Sequence, residues 1–502
     1  MSTNVTIAAV STEISDPRPA LLDHVNKQRT SFLSEMPVTL ETRRDRLARG
    51  AAMILAHRQK IVAAAMADFP NRCEEMSLMT EVFAPSNAFV GASKNLKRWM
   101  QPERRKAMAP FNLFGARSEV QYQPLGVVGI MGAWNAALNL VVVPMAMAMA
   151  AGNRTMLCPS DLMVESAKAL DAAVREYFDD TEAVVCMGGL AVSKAFSTLP
   201  FDHLMFTGST AVGTQVMMAA AANLVPVTLE LGGKSPVIVL PDVDMDDAVK
   251  RLANTKTANG GQACIGPDHF YVPRSLLEPF LSGMDAALAA LYPGAAGNVN
   301  YCGLSFDRHF QRVTSLVDEA RASGGRVEIL GAKTGNAIAI DPAKRNMAVH
   351  AVIDPPQDIR AIKEEIFGPV MIVSTYDDLD QACRDIRAKE KPLALYVFSR
   401  SKDQAQYVLD RTFSGGVTIN DGLFHYAQPD LPFGGIGKSG IGAYSPGVDG
   451  FRRFSHARGV YKQAGPMALL RAMQPPYGKL FNMAIRGQVE KLARKYAGVK
   501  RK

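Results

Sequence analysis

From Gln123 onward the chain alternates short apolar runs with segments whose apolar residues recur at helical spacing. This alternation predicts parallel strands joined by crossover helices, with helices on both faces of each sheet. One series ends within the sequence LELGGKSP, residues 229–236, and a second series follows it. We therefore expect an α/β chain with two sheet-containing domains. Helices are predicted to begin near Pro144 and at Asp161, Asp244 and Arg274, and helical spacing also runs through residues 21–33 and 46–69.

Length and cysteine usage limit the class of protein. The 502 residues exceed what one hydrophobic core usually supports, and 48% of them are apolar, so several domains can be filled. The six cysteines form no CxxC pair and no Cys/His cluster, so we expect reduced thiols, no metal site and a cytoplasmic location. The sequence contains no export leader and no apolar window of about 18 residues, so neither secretion nor membrane spanning is expected.

The net charge of +8 is concentrated in one segment. Residues 466–502 hold nine basic residues and one acidic residue, whereas the other 465 residues hold 47 of each. The body of the protein therefore gives no reason to expect a nucleic-acid partner. The tail predicts an amphipathic helix that packs on a subunit or lies peripherally on the anionic inner face of a membrane. Its apolar face follows steps of three or four through Phe481, Ile485, Val489, Leu492, Tyr496 and Val499.

Two side chains are candidates for nucleophilic and acid-base chemistry. Cys264 follows a glycine-rich turn in NGGQACIGP, and Glu230 lies at the end of a predicted strand in LELGGKSP. A cysteine thiolate is a soft nucleophile, and a carboxylate can act as a base. Each residue alone also has a plain structural explanation, as buried filler or as a solvated charge. Their occurrence together, 34 residues apart, favours the chemical interpretation.

Several motifs stand in the order shown by one family. PLGVVGIMGAWN, AAGNRTMLCPSD, FTGSTAVG, LELGGKSP, NGGQAC, EEIFGPV and LPFGGIGKSGIG resemble the aldehyde dehydrogenase superfamily over roughly residues 25–465. Within it the chain is most similar to the class 3 branch and to coniferyl aldehyde dehydrogenases, through segments such as DFPNR, LKRWMQP and RTFSGGVTINDGLFH.

The resemblance implies an aldehyde dehydrogenase-like fold with a Rossmann-type cofactor domain, an α/β catalytic domain and a small β oligomerisation element. RSEVQYQPLG and GFRRFSHARGVYKQ resemble the family's oligomerisation strands, so a homodimer is expected. The expected limits are a disordered leader (1–18), an NAD-binding domain (19–116 and 125–231), a catalytic domain (232–419), an oligomerisation element (117–124 and 420–465) and a basic amphipathic tail (466–502).

The resemblance also assigns three catalytic residues. Cys264 would attack the aldehyde carbon as a thiolate, and the Asn135 side-chain amide with the Cys264 backbone N–H would stabilise the oxyanion. Glu230 would activate the water that hydrolyses the thioester. A base at this position favours release of an acid over transfer to a thiol.

The same resemblance implies a nicotinamide cofactor. Gly208 and Ser209 lie between a predicted strand and helix, where free N–H groups suit a pyrophosphate, although a simple helix cap is the alternative. Cys158 replaces the family's ribose-binding lysine, and Asp161 should repel a 2′-phosphate, so NAD is expected and NADP is the alternative. The other matching positions are Trp134, Ser160, Val212, Leu231, Glu365 and Phe367.

Small residues replace bulky ones around the expected substrate tunnel. Ala136 and Ala137 stand where the family usually has an aromatic residue and a proline, and Ala258 stands where relatives often carry an aromatic residue. This predicts a bulky apolar aldehyde, aromatic, terpenoid or long-chain, with Phe433 and His425 as the remaining lining residues. A structural histidine is the alternative for His425. For the whole chain the alternatives are an NADP-preferring or fatty-aldehyde-specific member of the family, or a catalytically weak binding protein.

Overall fold

The computed structural model describes residues 16–69, 71–333, 336–444, 446–464, 471 and 473–499, so the predicted leader lies mainly outside the described residues. The helices are α1 (Arg18–Glu35), α2 (Leu40–Ala56), α3 (Arg58–Asp68), α4 (Glu74–Ser77), α5 (Ala84–Trp99), α6 (Asn139–Ala150), α7 (Val164–Tyr177), α8 (Gly189–Ser197), α9 (Thr210–Ala221), α10 (Met245–Thr257), α11 (Leu277–Leu291), α12 (Asp307–Ala322), α13 (Arg360–Lys363), α14 (Leu379–Ala388), α15 (Lys402–Arg411), α16 (Val448–Arg453) and a tail helix (Lys479–Tyr496). A π-helical segment, Leu78–Phe83, joins α4 to α5.

The strands are β1 (Glu103–Arg105), β2 (Arg117–Pro124), β3 (Val127–Met131), β4 (Arg154–Cys158), β5 (Ala183–Val185), β6 (His203–Gly208), β7 (Val227–Leu231), β8 (Ser235–Val239), β9 (Pro267–Pro273), β10 (Arg326–Leu330), β11 (Ile340–Asp341), β12 (Asn346–Met347), β13 (Val349–Ile353), β14 (Val370–Tyr376), β15 (Ala394–Phe398), β16 (Gly416–Ile419), β17 (Gly440–Ile441) and β18 (Ser455–Lys462).

The first large sheet has the strand order β17-β7-β6-β3-β4-β5 within the described residues. All neighbouring pairs are parallel except β17 with β7. Every residue of β3, β4, β5 and β7 is buried, as expected for strands covered by helices on both faces. The chain order reverses between β3 and β6, and ligands of such sheets bind beyond the carboxyl ends of the strands at this reversal.

The second large sheet has the order β10-β13-β14-β9-β8-β15-β16 within the described residues. Only β10 runs antiparallel to its neighbour. The predicted α/β class with two sheets is therefore confirmed. Three residues, Gly232 to Lys234, join β7 of the first sheet to β8 of the second, so the carboxyl end of β7 lies directly beside the start of the second sheet.

Long-range contacts decide where two of the helices begin. α6 starts at Asn139 because the Glu81 carboxylate accepts hydrogen bonds from the Leu138 and Asn139 backbone N–H groups, at 2.9 and 3.2 Å. The predicted start near Pro144 is therefore wrong, and Pro144 lies inside the helix. α7 begins at Val164 rather than Asp161, and Asp68 accepts from two N–H groups of its first turn.

The other two predicted helix starts agree with the structure. Asp244 caps α10, where its side chain accepts from the Asp247 N–H. Arg274 opens a 3₁₀ turn that leads into α11.

A separate compact unit comprises residues 100–123 and the described residues from 456 onward. It contains most of the three-stranded sheet β1-β2-β18 and the tail helix, which buries none of its residues in this chain. Residues 420–455, which were expected in the oligomerisation element, lie with the larger unit. Among the described residues no helix combines the length and apolar character that crossing a bilayer requires.

Candidate active site

Glu230 and Cys264 come together where the two large sheets meet. Glu230 lies in β7, beside Thr207 of β6, and only 1% of it is exposed. Cys264 lies in the loop between α10 and β9 and is half-buried. Neither carboxylate oxygen of Glu230 has a hydrogen-bond partner of ordinary geometry in the described protein. A buried carboxylate without partners pays a desolvation penalty when it is charged.

The electrostatic environment of Glu230 and Cys264 favours the protonated, neutral form of both side chains. Burial raises the pKa of Glu230 to about 7, and the neighbouring Cys264 thiol opposes that rise. Burial also raises the pKa of Cys264 well above its usual range, and the negative charges of Glu230 and Glu365 add to the effect. The Ile265 backbone N–H donates to the sulfur and partly offsets it. The site can thus hold or release a proton near neutral pH.

The glycines before Cys264 are required by the shape of its loop. Asn259, Gly260 and Gly261 all have positive φ angles, of 53°, 64° and 76°. A Cβ at Gly260 would lie 2.6 Å from the Cys302 carbonyl oxygen, and one at Gly261 would lie 2.5 Å from the Gly368 carbonyl oxygen. Only glycine fits such close backbone approaches. The tight loop fixes where the Cys264 thiol lies.

Asn135 lies in the loop after β3 and is brought beside the cysteine loop. Its Nδ2 donates to the Gln262 carbonyl oxygen at 3.1 Å, two residues before Cys264. Its own carbonyl oxygen accepts from Asn259 Nδ2 at 2.9 Å. The Asn135 side chain is buried and retains a second amide hydrogen that can face a reacting oxygen. Ala136 follows it and is half-buried, while Ala258 begins the turn that leads to Cys264.

The segment that carries Glu365 and Phe367 closes the other side of the site. The Glu365 carboxylate accepts from the Gly233 N–H, and a Cβ at Gly232 would lie 2.0 Å from Glu365 Oε2. Burial raises the pKa of Glu365 to about 8. Phe367 has a φ of 55°, and its ring lies 5.3 Å from the ring of Trp134. Trp134 and Phe367, both cofactor candidates from the sequence, are therefore in contact.

An internal ion pair holds this segment in place. Lys234 pairs with Asp268 and also donates to the carbonyl oxygens of Ala361 and Glu364 at 2.7 and 2.8 Å. Asp268 accepts from the Ile366 N–H at 2.7 Å. The backbone on both sides of Glu365 is thus fixed from the start of β8 and from β9.

A cavity of about 290 Å³ lies at the carboxyl ends of β4 and β5. Ser160 and Asp161, both expected near the cofactor, line it, and so do Lys168 and Ser193, which the sequence analysis did not single out. The Cys158 sulfur lies 3.7 Å from Ser193 Oγ, and burial raises the pKa of Cys158 to about 11, so the thiol is neutral near pH 7. The structure thus places no cation at position 158.

The glycine-serine turn after β6 also has the expected position. Gly208 ends β6, and Ser209 caps α9 by accepting from the Val212 N–H at 3.3 Å. The cap and an anion site are compatible, because the other N–H groups of the first turn remain available. The Leu231 side chain, in contrast, is buried in the core of the first sheet, and only 4% of it is exposed.

Aromatic side chains surround the nucleophile on the remaining side. Phe433 is buried, with its ring 4.9 Å from Tyr426 and 6.0 Å from both Tyr444 and His425. Burial raises the pKa of Tyr426 and Tyr444, and the nearby Cys264 and Glu230 add to the rise. The structure therefore brings Phe433 toward the reactive pair through two tyrosines that the sequence did not single out.

His425 has a contact that supports its structural alternative. Its Nδ1 lies 2.8 Å from Thr418 Oγ1, and its Nε2 is buried without a hydrogen-bond partner in the described residues. Burial lowers the pKa of His425 to about 4, so the ring is neutral near pH 7.

Sequence reasoning missed the buried charged residues that support the site. Arg72 and Glu81 contact the Asn135 loop, and Lys234 and Asp268 hold the Glu365 segment. A charged residue gives no sign of burial in a single sequence. The one available signal was that Arg72 and Lys234 belong to the motifs DFPNR and LELGGKSP.

Comparison with known proteins places this site in a family. The sequence pattern of the aldehyde dehydrogenase family matches residues 23–460. A "Probable coniferyl aldehyde dehydrogenase" of Caulobacter vibrioides is 41% identical over 95% of this chain and 98% of its own length. An "Aldehyde dehydrogenase, dimeric NADP-preferring" of Rattus norvegicus is 36% identical over 88% of this chain and 94% of its own length.

Solved structures agree with the sequence relatives. The substrate-bound state of Staphylococcus aureus AldH superposes with a TM-score of 0.82 and 31% identity, and it covers 88% of this chain and 94% of its own. With a family pattern over most of its length, relatives above 30% identity and the same fold, this chain belongs to the aldehyde dehydrogenase family of oxidoreductases.

Proposed function

We propose that this protein oxidises a bulky apolar aldehyde, aromatic, terpenoid or long-chain, to its carboxylic acid with NAD, through a thioester on Cys264. The observation that carries the proposal is the meeting of Cys264 with Glu230, a buried carboxylate whose pKa is raised by burial to about 7. A thiol nucleophile beside a base that titrates near neutral pH suits acyl chemistry in two steps. Asn135, next to the same loop, supplies an amide donor.

The residues suggest a role for each group. Cys264 first loses its thiol proton to water. As a thiolate it then forms the bond to the aldehyde carbon, and the carbonyl oxygen becomes an oxyanion that accepts from Asn135 Nδ2 and the Cys264 N–H. A bound dinucleotide would supply the hydride acceptor for this carbon, so that Cys264 would be left carrying the acyl group as a thioester. Glu230 then takes a proton from water as the oxygen attacks the thioester carbon, and the acid and the Cys264 thiol are released.

The residues present fit a dinucleotide. The 290 Å³ cavity beyond β4 and β5 can take the adenosine half, and the free N–H groups after Gly208 can bind the pyrophosphate. Glu365, oriented by Gly233, can bind the nicotinamide ribose. Asp161 at the cavity favours NAD, because it would repel a 2′-phosphate. Lys168, at the same cavity, is the feature that keeps NADP as the alternative.

The substrate class rests on the side chains near the loop of Asn135. Ala136 and Ala258 put small side chains on the segments next to Asn135 and before Cys264, and Phe433 packs against Tyr426 and Tyr444, which lie near Cys264. A fatty-aldehyde preference is the alternative within the same reaction. Conversion of a panel of aldehydes, followed by the absorbance of NADH or NADPH, separates these alternatives and excludes a catalytically weak binding protein if turnover is found.

We further infer that the protein is a homodimer in the cytoplasm and that its tail helix packs on the second copy. β18 is an edge strand with mostly exposed residues, and such an edge is usually covered. On the tail helix, Ile485, Val489 and Leu492 are 43%, 58% and 57% exposed in the single chain. An anionic membrane surface is the alternative partner for this helix, because its other face is basic.

Replacing the nucleophile tests the central proposal. We expect Cys264→Ser to abolish NADH formation, because a neutral hydroxyl is a far weaker nucleophile than a thiolate. NAD binding, measured by calorimetry on the same variant, should be nearly unchanged. Cys383→Ser, at a buried thiol in α14 away from the site, is the matched control and should retain activity. Turnover by purified Cys264→Ser would disprove the assignment.

Glu230→Gln separates the two chemical steps. The first burst of NADH should persist, because removing the negative charge lowers the pKa of Cys264, whereas steady-state turnover should fall as thioester release loses its base. In the wild type, thioester release should slow as the pH falls below about 7, since Glu230 then becomes protonated. Stopped-flow absorbance across pH 5.5–9, a range centred on that pKa of about 7, measures both phases. Equal loss of burst and steady state would show that Glu230 acts before release.

Filling the tunnel tests the substrate class. Ala136→Phe should lower kcat/KM for cinnamaldehyde more than for propanal, because added bulk excludes the larger substrate first. Ala136→Gly adds no bulk and serves as the control. The same proportional loss for both aldehydes would count against a wide tunnel.

Removal of the tail tests its partner. We expect truncation after residue 465 to lower thermal stability or split the dimer in light scattering, while sedimentation with lipid vesicles stays unchanged. Salt-sensitive binding to anionic vesicles that disappears on truncation would assign the tail to a membrane instead.

A further inference from the structure

The motif DFPNR, quoted above only as a likeness to one branch of the family, lies against the loop that carries Asn135. The ring of Phe69 lies 6.2 Å from that of Trp134, and the Arg72 guanidinium lies 5.1 Å from the centre of the Phe69 ring. Arg72 Nη1 also donates to the Asn135 carbonyl oxygen at 3.4 Å. The motif therefore contacts both Trp134 and Asn135, which are adjacent in the sequence and lie at the edge of the site.

Arg72 forms a fully buried ion pair with Glu81. The two side chains are 2% and 1% exposed, and Arg72 Nη2 donates to Glu81 Oε1 at 2.6 Å. The second oxygen of Glu81 accepts from the backbone N–H groups of Leu138 and Asn139. Glu81 itself lies in the π-helical segment Leu78–Phe83, a type of turn that occurs frequently at functional sites.

The pair thus holds both ends of one short segment. At its start, Arg72 and Asn259 bind the Asn135 carbonyl oxygen, and at its end, Glu81 binds the N–H groups that open α6. Asn139 adds a link, because its Nδ2 donates to the Thr80 carbonyl oxygen and its Oδ1 accepts from Tyr426. The direction of the Asn135 amide depends on this fixed backbone.

We propose that Arg72 and Glu81 are positioning residues that aim the Asn135 amide at the reacting oxygen. This inference rests on the proposed function, in which Asn135 stabilises the oxyanion. Burying two charges costs free energy that a pair of apolar side chains would not require. The ion pair instead fixes the orientation of the backbone groups that it binds, because a guanidinium and a carboxylate bind carbonyl and amide groups at fixed angles.

The test is a double-mutant cycle on the rate of the NADH burst. Arg72→Met should slow the burst by about 10- to 100-fold, because a small misplacement of a catalytic donor has effects of that order. In an Asn135→Ala background, the same change should slow the burst by less than about twofold, since the group that it positions is already absent. KM for NAD should stay the same in both backgrounds. Glu81→Gln, which is nearly isosteric, repeats the cycle if Arg72→Met folds poorly.

A buried ion pair elsewhere provides the matched control. Arg46 is 3% exposed in its side chain and pairs with Glu35 and Glu182 near α1 and β5, away from Cys264. Arg46→Met should lower thermal stability without changing the burst rate of the folded fraction. Equal losses from Arg72→Met in the two backgrounds would overturn the positioning role and leave the proposed function intact. An unchanged burst in Asn135→Ala alone would overturn both the oxyanion role and this inference.

Discussion

The site depends on the three-residue link between the two large sheets. Because Gly232, Gly233 and Lys234 are all that separate β7 from β8, the end of one sheet and the beginning of the other cannot move apart. Glu230 enters from the first sheet, Glu365 presses against Gly232, and Lys234 reaches Asp268 and the Glu364 carbonyl. A much longer link would loosen this constraint between Glu230 and the start of the second sheet.

Much of the fold was predictable because strand and helix periods differ and both sheets are buried on two faces. Asp244 caps its helix locally, so the start of α10 could be predicted from the sequence. α6 and α7 could not, because Glu81 and Asp68 cap them from positions far away in sequence. A helix that is capped by its own N-terminal neighbour can be predicted from the local sequence. A helix that is capped by a carboxylate distant in the sequence has no such signal near its start.

The residues of the candidate site likewise divide into those that the sequence could predict and those that it could not. Cys264, Glu230, Asn135, Glu365 and Phe367 lie in recognisable motifs, and the structure brings them together. Tyr426 and Lys168 were missed because an aromatic residue or a lysine between motifs has no distinctive spacing, and Tyr444, just after the motif LPFGGIGKSGIG, was not assigned to the site. Leu231 was carried over from the family resemblance as a cofactor residue, yet its side chain is buried in the core of the first sheet.

Burial of the thiols affects how readily the cysteines of this protein react with aldehydes. Aldehydes and their unsaturated relatives are electrophiles that modify exposed thiolates. Burial raises the pKa of Cys158, Cys186, Cys264, Cys302 and Cys383, so each sulfur rests as a neutral thiol, a much weaker nucleophile than a thiolate. Adduct formation and oxidation are thereby slowed throughout these positions. These five positions therefore stay quiet toward electrophiles, until at Cys264, under the proposed mechanism, a bound aldehyde is held against the sulfur.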